Sequence, residues 1–145
     1  MQETLNCGFS KSGRSRDGFE ISCQVIVASG LNASEIEIAK NFVRQQIAFY
    51  ASTPTYKPVL ESIDRLDVHE SLLDLSRSNK WNDMGKLIDD DILCKIAVVG
   101  TPSQVAEQIY ESRGGLVDRI SPNIYTDNLQ LALSINKELK LCFDD

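Results

Sequence analysis

Three times along this chain a short apolar stretch gives way to a pattern of helical period. "FEISCQVIVAS" (19–29) precedes "NASEIEIAKNFVRQQIAFYAS", and "LVDRIS" (116–121) precedes "TDNLQLALSINKELKL". "KIAVVGTPSQVAEQI" (95–109) makes the same change through Gly-Thr-Pro. Strands that alternate with helices imply parallel pairing through crossover helices, because a tight hairpin can only join antiparallel neighbours. The chain is therefore expected to be α/β.

The first strand pattern places Phe19, Ile21, Cys23, Val25 and Val27 on one face and Glu20, Ser22, Gln24, Ile26 and Ala28 on the other. That alternation suits a sheet with helices on one side and a partly polar interior, and equally a half-exposed antiparallel strand. Asn32 with Glu35 three residues later resembles a capping box, and Ile36, Ala39, Val43, Ile47 and Tyr50 continue it at helical spacing. Pro54 breaks this helix, and Pro58 falls near the start of a shorter one. From 66 to 94 the pattern is helical but irregular, with apolar stripes at Leu72, Leu73 and Leu75 and at Met84, Leu87 and Ile88. Ile96–Val99 reads as a short buried strand, Gly114-Gly115 as a helix terminator, and Pro122 as the end of the third strand. Residues 1–12 read as the end of a helix followed by a turn.

A chain of 145 residues can bury a real core as one domain. Its 42% apolar and 25% charged residues are those of a globular protein. The net charge of −6 argues against a nucleic-acid partner, since phosphate binding needs a basic surface. No apolar run approaches the roughly 18 residues of a membrane span, and the first residues carry no signal-peptide pattern. Cys7, Cys23, Cys94 and Cys142 are widely spaced, with no C-x-x-C pair, and read as reduced cysteines of a cytoplasmic protein used as small hydrophobes. His69, the only histidine, is remote from them in sequence, so no metal site is expected.

The turn at Gly100 raises the question of a phosphate. A P-loop needs G-x-x-x-x-G-K-[S/T] and a dinucleotide fingerprint needs G-x-G-x-x-G; neither is present. Thr101 at N-cap, Pro102 at N1 and Gln104 at N3 instead match a self-satisfied helix start. His69 reads as a surface or capping residue. Asp89-Asp90-Asp91 reads as a solvated or capping run, because helix neighbours point about 100° apart. Phe49, Tyr50 and Tyr56 around "STPTY" read as core packing or as the lining of a substrate entrance.

"SGRSRDGFEI", "IAFYASTPTYKPVLES" with "KWNDMGKLIDDDIL", and "VVGTPSQVAEQI" followed by "GGLVDRIS" together resemble the C-terminal part of the luciferase-like monooxygenase superfamily. The similarity runs from about residue 9 to 140 and is greatest to oxidoreductases that use the deazaflavin coenzyme F420. The resemblance implies about three βα units, by position the sixth to eighth, of a TIM-like (β/α)8 barrel. Residues 1–145 would then be a single partial domain with a helical insertion at about 55–94. It implies hydride transfer with F420, or alternatively FMN, in which the cofactor carries the chemistry and the protein orients it. No catalytic or cofactor-binding residue is carried over, since the strands that hold most of the ring are absent. Gly100 and the strand ends at Ser29 and Ser121 would lie on the active-site face. An open arc exposes sheet edges, so a homo-oligomer or a separately encoded N-terminal half is expected as partner. A non-catalytic oligomerising or binding remnant is the alternative.

Overall fold

The first strand pattern becomes the centre of the sheet, not its edge. The computed structural model describes residues 2–143. Their elements run α1 (Gln2–Ser12), β1 (Ser22–Ser29), α2 (Ala33–Ala51), α3 (Lys57–Ser62), α4 (Asp67–Arg77), α5 (Trp81–Met84), α6 (Asp90–Ile96), β2 (Ala97–Gly100), α7 (Pro102–Arg113), β3 (Arg119–Ile124) and α8 (Leu129–Phe143). All pairing in the sheet is parallel, in the order β2-β1-β3. Ser29 lies opposite Gly100 on one side, and Val27 lies opposite Ile124 on the other.

Both faces of β1 are covered. Ile26 and Ala28 face a core built on Val43, Ile47, Leu60, Leu72, Ile92 and their neighbours, from α2 and the short helices after it. Val25 and Val27, with Val98 of β2, face a second core of Val105, Ala106 and Ile109 from α7 and Leu131, Ile135 and Leu139 from α8. The partly polar face expected for β1 is thus confined to its first residues. Toward the carboxyl end the strand is apolar on both sides, as a central parallel strand must be.

The α/β class and the parallel strands match the sequence reading. The strand order differs from the consecutive order of a barrel arc, which would also keep its helices on one outer face. Right-handed crossovers explain the arrangement. From β1 the chain steps one way to β2, with α2 on one face. From β2 it steps back across β1 to β3, and the same handedness carries α7 to the opposite face. Three strands cannot close on themselves, so the apolar row Val25, Val27 and Val98 needs cover, and α7 and α8 supply it.

The start of α7 is a full capping box. The Gln104 amide donates to Thr101 Oγ1 at 3.5 Å, and Gln104 Oε1 accepts the Thr101 N–H at 3.0 Å. Gly100 stands at φ +152°, which L side chains rarely adopt, and a Cβ there would also lie 2.9 Å from Gln104 Cβ. Gln108 Nε2 then donates to the Val99 carbonyl, tying the helix back to β2. At the other end of α7, Gly114 is in right-handed helical conformation, and its use is space: a Cβ would meet the Tyr110 carbonyl at 2.7 Å. Pro122 does not end β3. It sits opposite Val25, and the strand continues to Ile124. An edge strand accommodates a proline because every second amide faces away from its neighbour.

Asp118 joins the turn after α1 to the sheet. Its carboxylate accepts the Ile21 amide at 2.8 Å and pairs with Arg16, whose guanidinium also reaches the Phe19 carbonyl. The Ile21 amide first, and Arg16 second, hold this carboxyl below the ordinary carboxylate range. Asp89 is lowered too, chiefly by the Ile92 amide that it caps and then by Arg65.

Two outcomes are expected. Thr101→Ala should cost on the order of 1 kcal/mol in chemical denaturation, and inorganic phosphate should leave the melting temperatures of the parent and the variant equally unchanged. For the aspartates, a depressed folded pKa means that the stabilisation is complete above the unfolded value of roughly 3.9 and is lost as pH falls through the folded pKa. Acid unfolding should therefore be steeper for the parent than for Asp118→Asn, followed by circular dichroism between about pH 5 and 2.

Candidate functional site

The helix following β1 and the helix following β3 lie on opposite faces of the sheet. Where neighbouring strands send their helices to opposite sides, a crevice opens outside their carboxyl ends, and open α/β sheets bind ligands at such switch points. This chain has a cleft of about 610 Å³ at that place. Its floor is Ser29, the last residue of β1. One wall is α2, with Glu35, Ile38 and Phe42, and the other is the segment after β3, with Tyr125 and Asp127, running into Leu131 of α8.

The cleft is apolar on its flanks and acidic at its rim. Phe42 and Ile38 are more than half exposed, at 59% and 55%. Glu35 is fixed in place: its carboxylate accepts the Leu31 amide and Asn32 Nδ2, both at 2.8 Å, while Asn32 Oδ1 caps the Glu35 amide. This cap differs from the expected box, because the carboxylate reaches the amide one residue before the N-cap. Asp127 is exposed and has no ion-pair partner among the described residues. Burial, and then its neighbour Tyr50, raise the Tyr125 phenol above its usual range. Ser29 is 3% exposed, and its Oγ has no hydrogen-bond partner among the described residues. A buried hydroxyl left unpaired costs about 1–3 kcal/mol.

Of the three positions expected on the active-site face, Ser29 lies in the cleft and Gly100 lies beside it in register. Ser121 does not. It is opposite Gln24 in the middle of β3, because the strand runs on past Pro122. Glu35, Tyr125 and Asp127 were not anticipated from sequence, and the expected stop at Pro122 is what hid the latter two. His69 is buried, and its Nδ1 donates to the Ala51 carbonyl at 2.8 Å, so it caps the last turn of α2 from inside rather than at the surface.

The three aspartates divide their duties. Asp89 caps α6, Arg65 bridges Asp89 and Asp91, and Asp90 pairs with Arg44 and Lys40. No group of metal-ligating residues occurs among the described residues. Phe49, Tyr50 and Tyr56 do gather, with Tyr50 and Tyr56 stacked at 5.0 Å and Phe49 against Trp81 at 6.2 Å. The hollow beside them is about 90 Å³, and Phe49 and Tyr56 remain 49% and 41% exposed, so they pack on one another at the surface rather than in the core. Cys7 and Cys94 are exposed, so the small-hydrophobe reading holds only for Cys23 and Cys142, which border the second core. No described helix is long and apolar enough to cross a membrane.

The profile of the luciferase-like monooxygenase family matches residues 1–119. An uncharacterised protein of Mycobacterium tuberculosis is 44% identical over 115 residues, covering 79% of this chain and 34% of its own length, and one of Mycobacterium bovis matches equally. A 5,10-methylenetetrahydromethanopterin reductase of Archaeoglobus fulgidus is 30% identical over 147 residues, covering 95% of this chain and 42% of the reductase. The chain thus spans between a third and a half of the length of these relatives. With more than half of its residues inside the profile, the chain belongs to the luciferase-like monooxygenase family.

Proposed function

We propose that the chain is the C-terminal portion of a luciferase-like oxidoreductase that transfers hydride with coenzyme F420, or with FMN. Its turnover requires the further length of chain that its relatives carry. The observation behind this reading is the family match over residues 1–119 by a chain that spans only 34% to 42% of the relatives' length. Similarity to a reductase supports redox chemistry of this type. In this reading residues 55–94 are an insertion between βα units of one partial domain.

The residues lining this cleft do not by themselves fit such a cofactor. F420 and FMN both carry a phosphate, and the cleft is lined by no lysine or arginine. At each of its nearest helix starts one amide is already taken by a side-chain cap: Asn32 Oδ1 accepts the Glu35 amide of α2, and Asn128 Oδ1 accepts the Leu131 amide of α8. A phosphorylated ring would find apolar walls but no partner for its anion. The missing cationic contacts are assigned to the remainder of a family-length chain.

That remainder, or a second copy of this chain, is the proposed partner. Phe49, Tyr56, Val59 and Trp81 are each 41–49% exposed, and exposed apolar surface of this kind is where a protein contact forms. The self-contained covering of both sheet faces favours the second reading, a non-catalytic binding module.

The pure 145-residue chain should show no turnover and no micromolar binding of F420 or FMN in anaerobic titration. Adding the front portion of a family-length relative should restore cofactor binding, and light scattering should show the chain associating. Micromolar binding by the lone chain would overturn the first reading. Failure of any front portion to bind the chain would favour the second.

A further inference from the structure

We infer that a second copy of this chain docks on the outer side of α2, the two α2 helices packing antiparallel about a two-fold axis. The inference rests on the reading of a second copy as partner and has no part for hydride transfer. α2 is apolar on two opposite sides. One side, with Val43, Ile47, Ala48 and Ala51, is buried in the first core. The other exposes Ile38, Phe42 and Phe49, at 55%, 59% and 49%. With Gln45 between them, these follow one another in steps of four, three and four residues, the a/d spacing of a helix-pairing seam. Trp81 lies against Phe49 at 6.2 Å and widens the apolar row at its end. A helix that is apolar on both sides calls for cover on both.

The occupant follows from the order of residues in the seam. Reversed end to end, the row reads onto itself: Ile38 meets Phe49 of the second copy, and Phe42 meets its Gln45. That is the self-complementarity a two-fold interface requires. The positions flanking the seam, Ser34, Ala39, Asn41, Gln46 and Ala48, carry no charge, so two copies meet there without like-charge repulsion. The same reversal sets Asn41 opposite Gln46, and two amides can each donate and accept. The shape is suited as well. Ile38 and Phe42 border two hollows, one running to Asn82 and Gly85 and the other being the cleft beside Tyr125, so the ridge of one copy has a groove to enter on the other. α8 also exposes Leu129, Leu133 and Leu141, but Lys137 and Lys140 interrupt that row. α2 has 19 residues, and is thus about 28 Å long and about 10 Å across. Pairing along it buries less than the roughly 800 Å² per partner of a standard interface, so the dimer is of micromolar strength or weaker.

Sedimentation velocity of the full chain, from micromolar to submillimolar concentration, tests this. A reductant keeps the exposed Cys7 and Cys94 out of the measurement, and the emission of Trp81, the only tryptophan, is followed in parallel. The expected result is a monomer–dimer equilibrium, with Trp81 emission moving to the blue as the dimer fills. Phe42→Glu should weaken dimerisation by roughly tenfold or more, with the melting temperature of the dilute monomer unchanged, because the side chain is exposed. Leu133→Glu on α8 should leave dimerisation as it is. For the register, Ile38→Cys and Phe49→Cys chains are made with Cys7→Ser and Cys94→Ser and oxidised with glutathione disulfide. Mixed, they should link to each other faster than either links to itself. A monomer over the whole range, a Phe42→Glu dimer as tight as the parent, or Ile38→Cys linking by preference to itself would overturn the inference. A monomer that instead binds the front portion of a family-length relative through Phe42 would overturn it and leave the C-terminal-portion reading standing. Seam-mediated dimers of a lone chain that also binds F420 or FMN at micromolar strength would overturn that reading and leave the inference standing, so the two failures are distinguishable.

Discussion

Everything in this molecule depends on β1 being apolar on both sides over its carboxyl half. Val25 and Val27 point into one core, and Ile26 and Ala28 point into the other. A strand buried on both faces has its backbone groups out of reach of water, so both edges must be paired. β2 pairs with one edge and β3 with the other. The two helical layers follow from the same requirement, since each apolar face needs its own cover.

The candidate site is a by-product of that solution. Because the chain steps from β1 to β2 and then back across β1 to β3, the helices leaving β1 and β3 diverge, and a cleft opens between them. The strand end at Ser29 is carried there by the sheet whatever its side chain is. A serine at a position 3% exposed, with its hydroxyl unpaired, runs against the rule that buried polar groups find partners. The local caps show how consistently the chain meets that rule elsewhere. Thr101, Asn32, Asp89, Asn128 and His69 each satisfy a helix end.

Local signals are legible where they act within a few residues. The capping box at Thr101 and Gln104, the break at Pro54 and the aspartate cap of α6 depend on neighbours in the chain, and the structure has them where the spacing indicates. Signals that depend on partners far away are only partly legible. Pro122 is a strand breaker in a central strand but is tolerated on an edge, and its edge position depends on a pairing with residues nearly a hundred positions earlier. His69 stands in a polar stretch of sequence, yet the packing of α4 on α2 turns it inward to the Ala51 carbonyl.

By itself the sequence determined the alternation of strand and helix, the parallel sense of the strands, the helix caps and the family, because periodicity, capping chemistry and motif order are carried by residues close together in the chain. Only the tertiary structure decided that β1 is central, that α7 and α8 take the face opposite α2, and that Ser29, Glu35, Tyr125 and Asp127 share one cleft. Pairing order among three strands is a competition between whole faces and edges. Its outcome depends on which apolar surface each crossover helix can cover, and no local pattern encodes that choice.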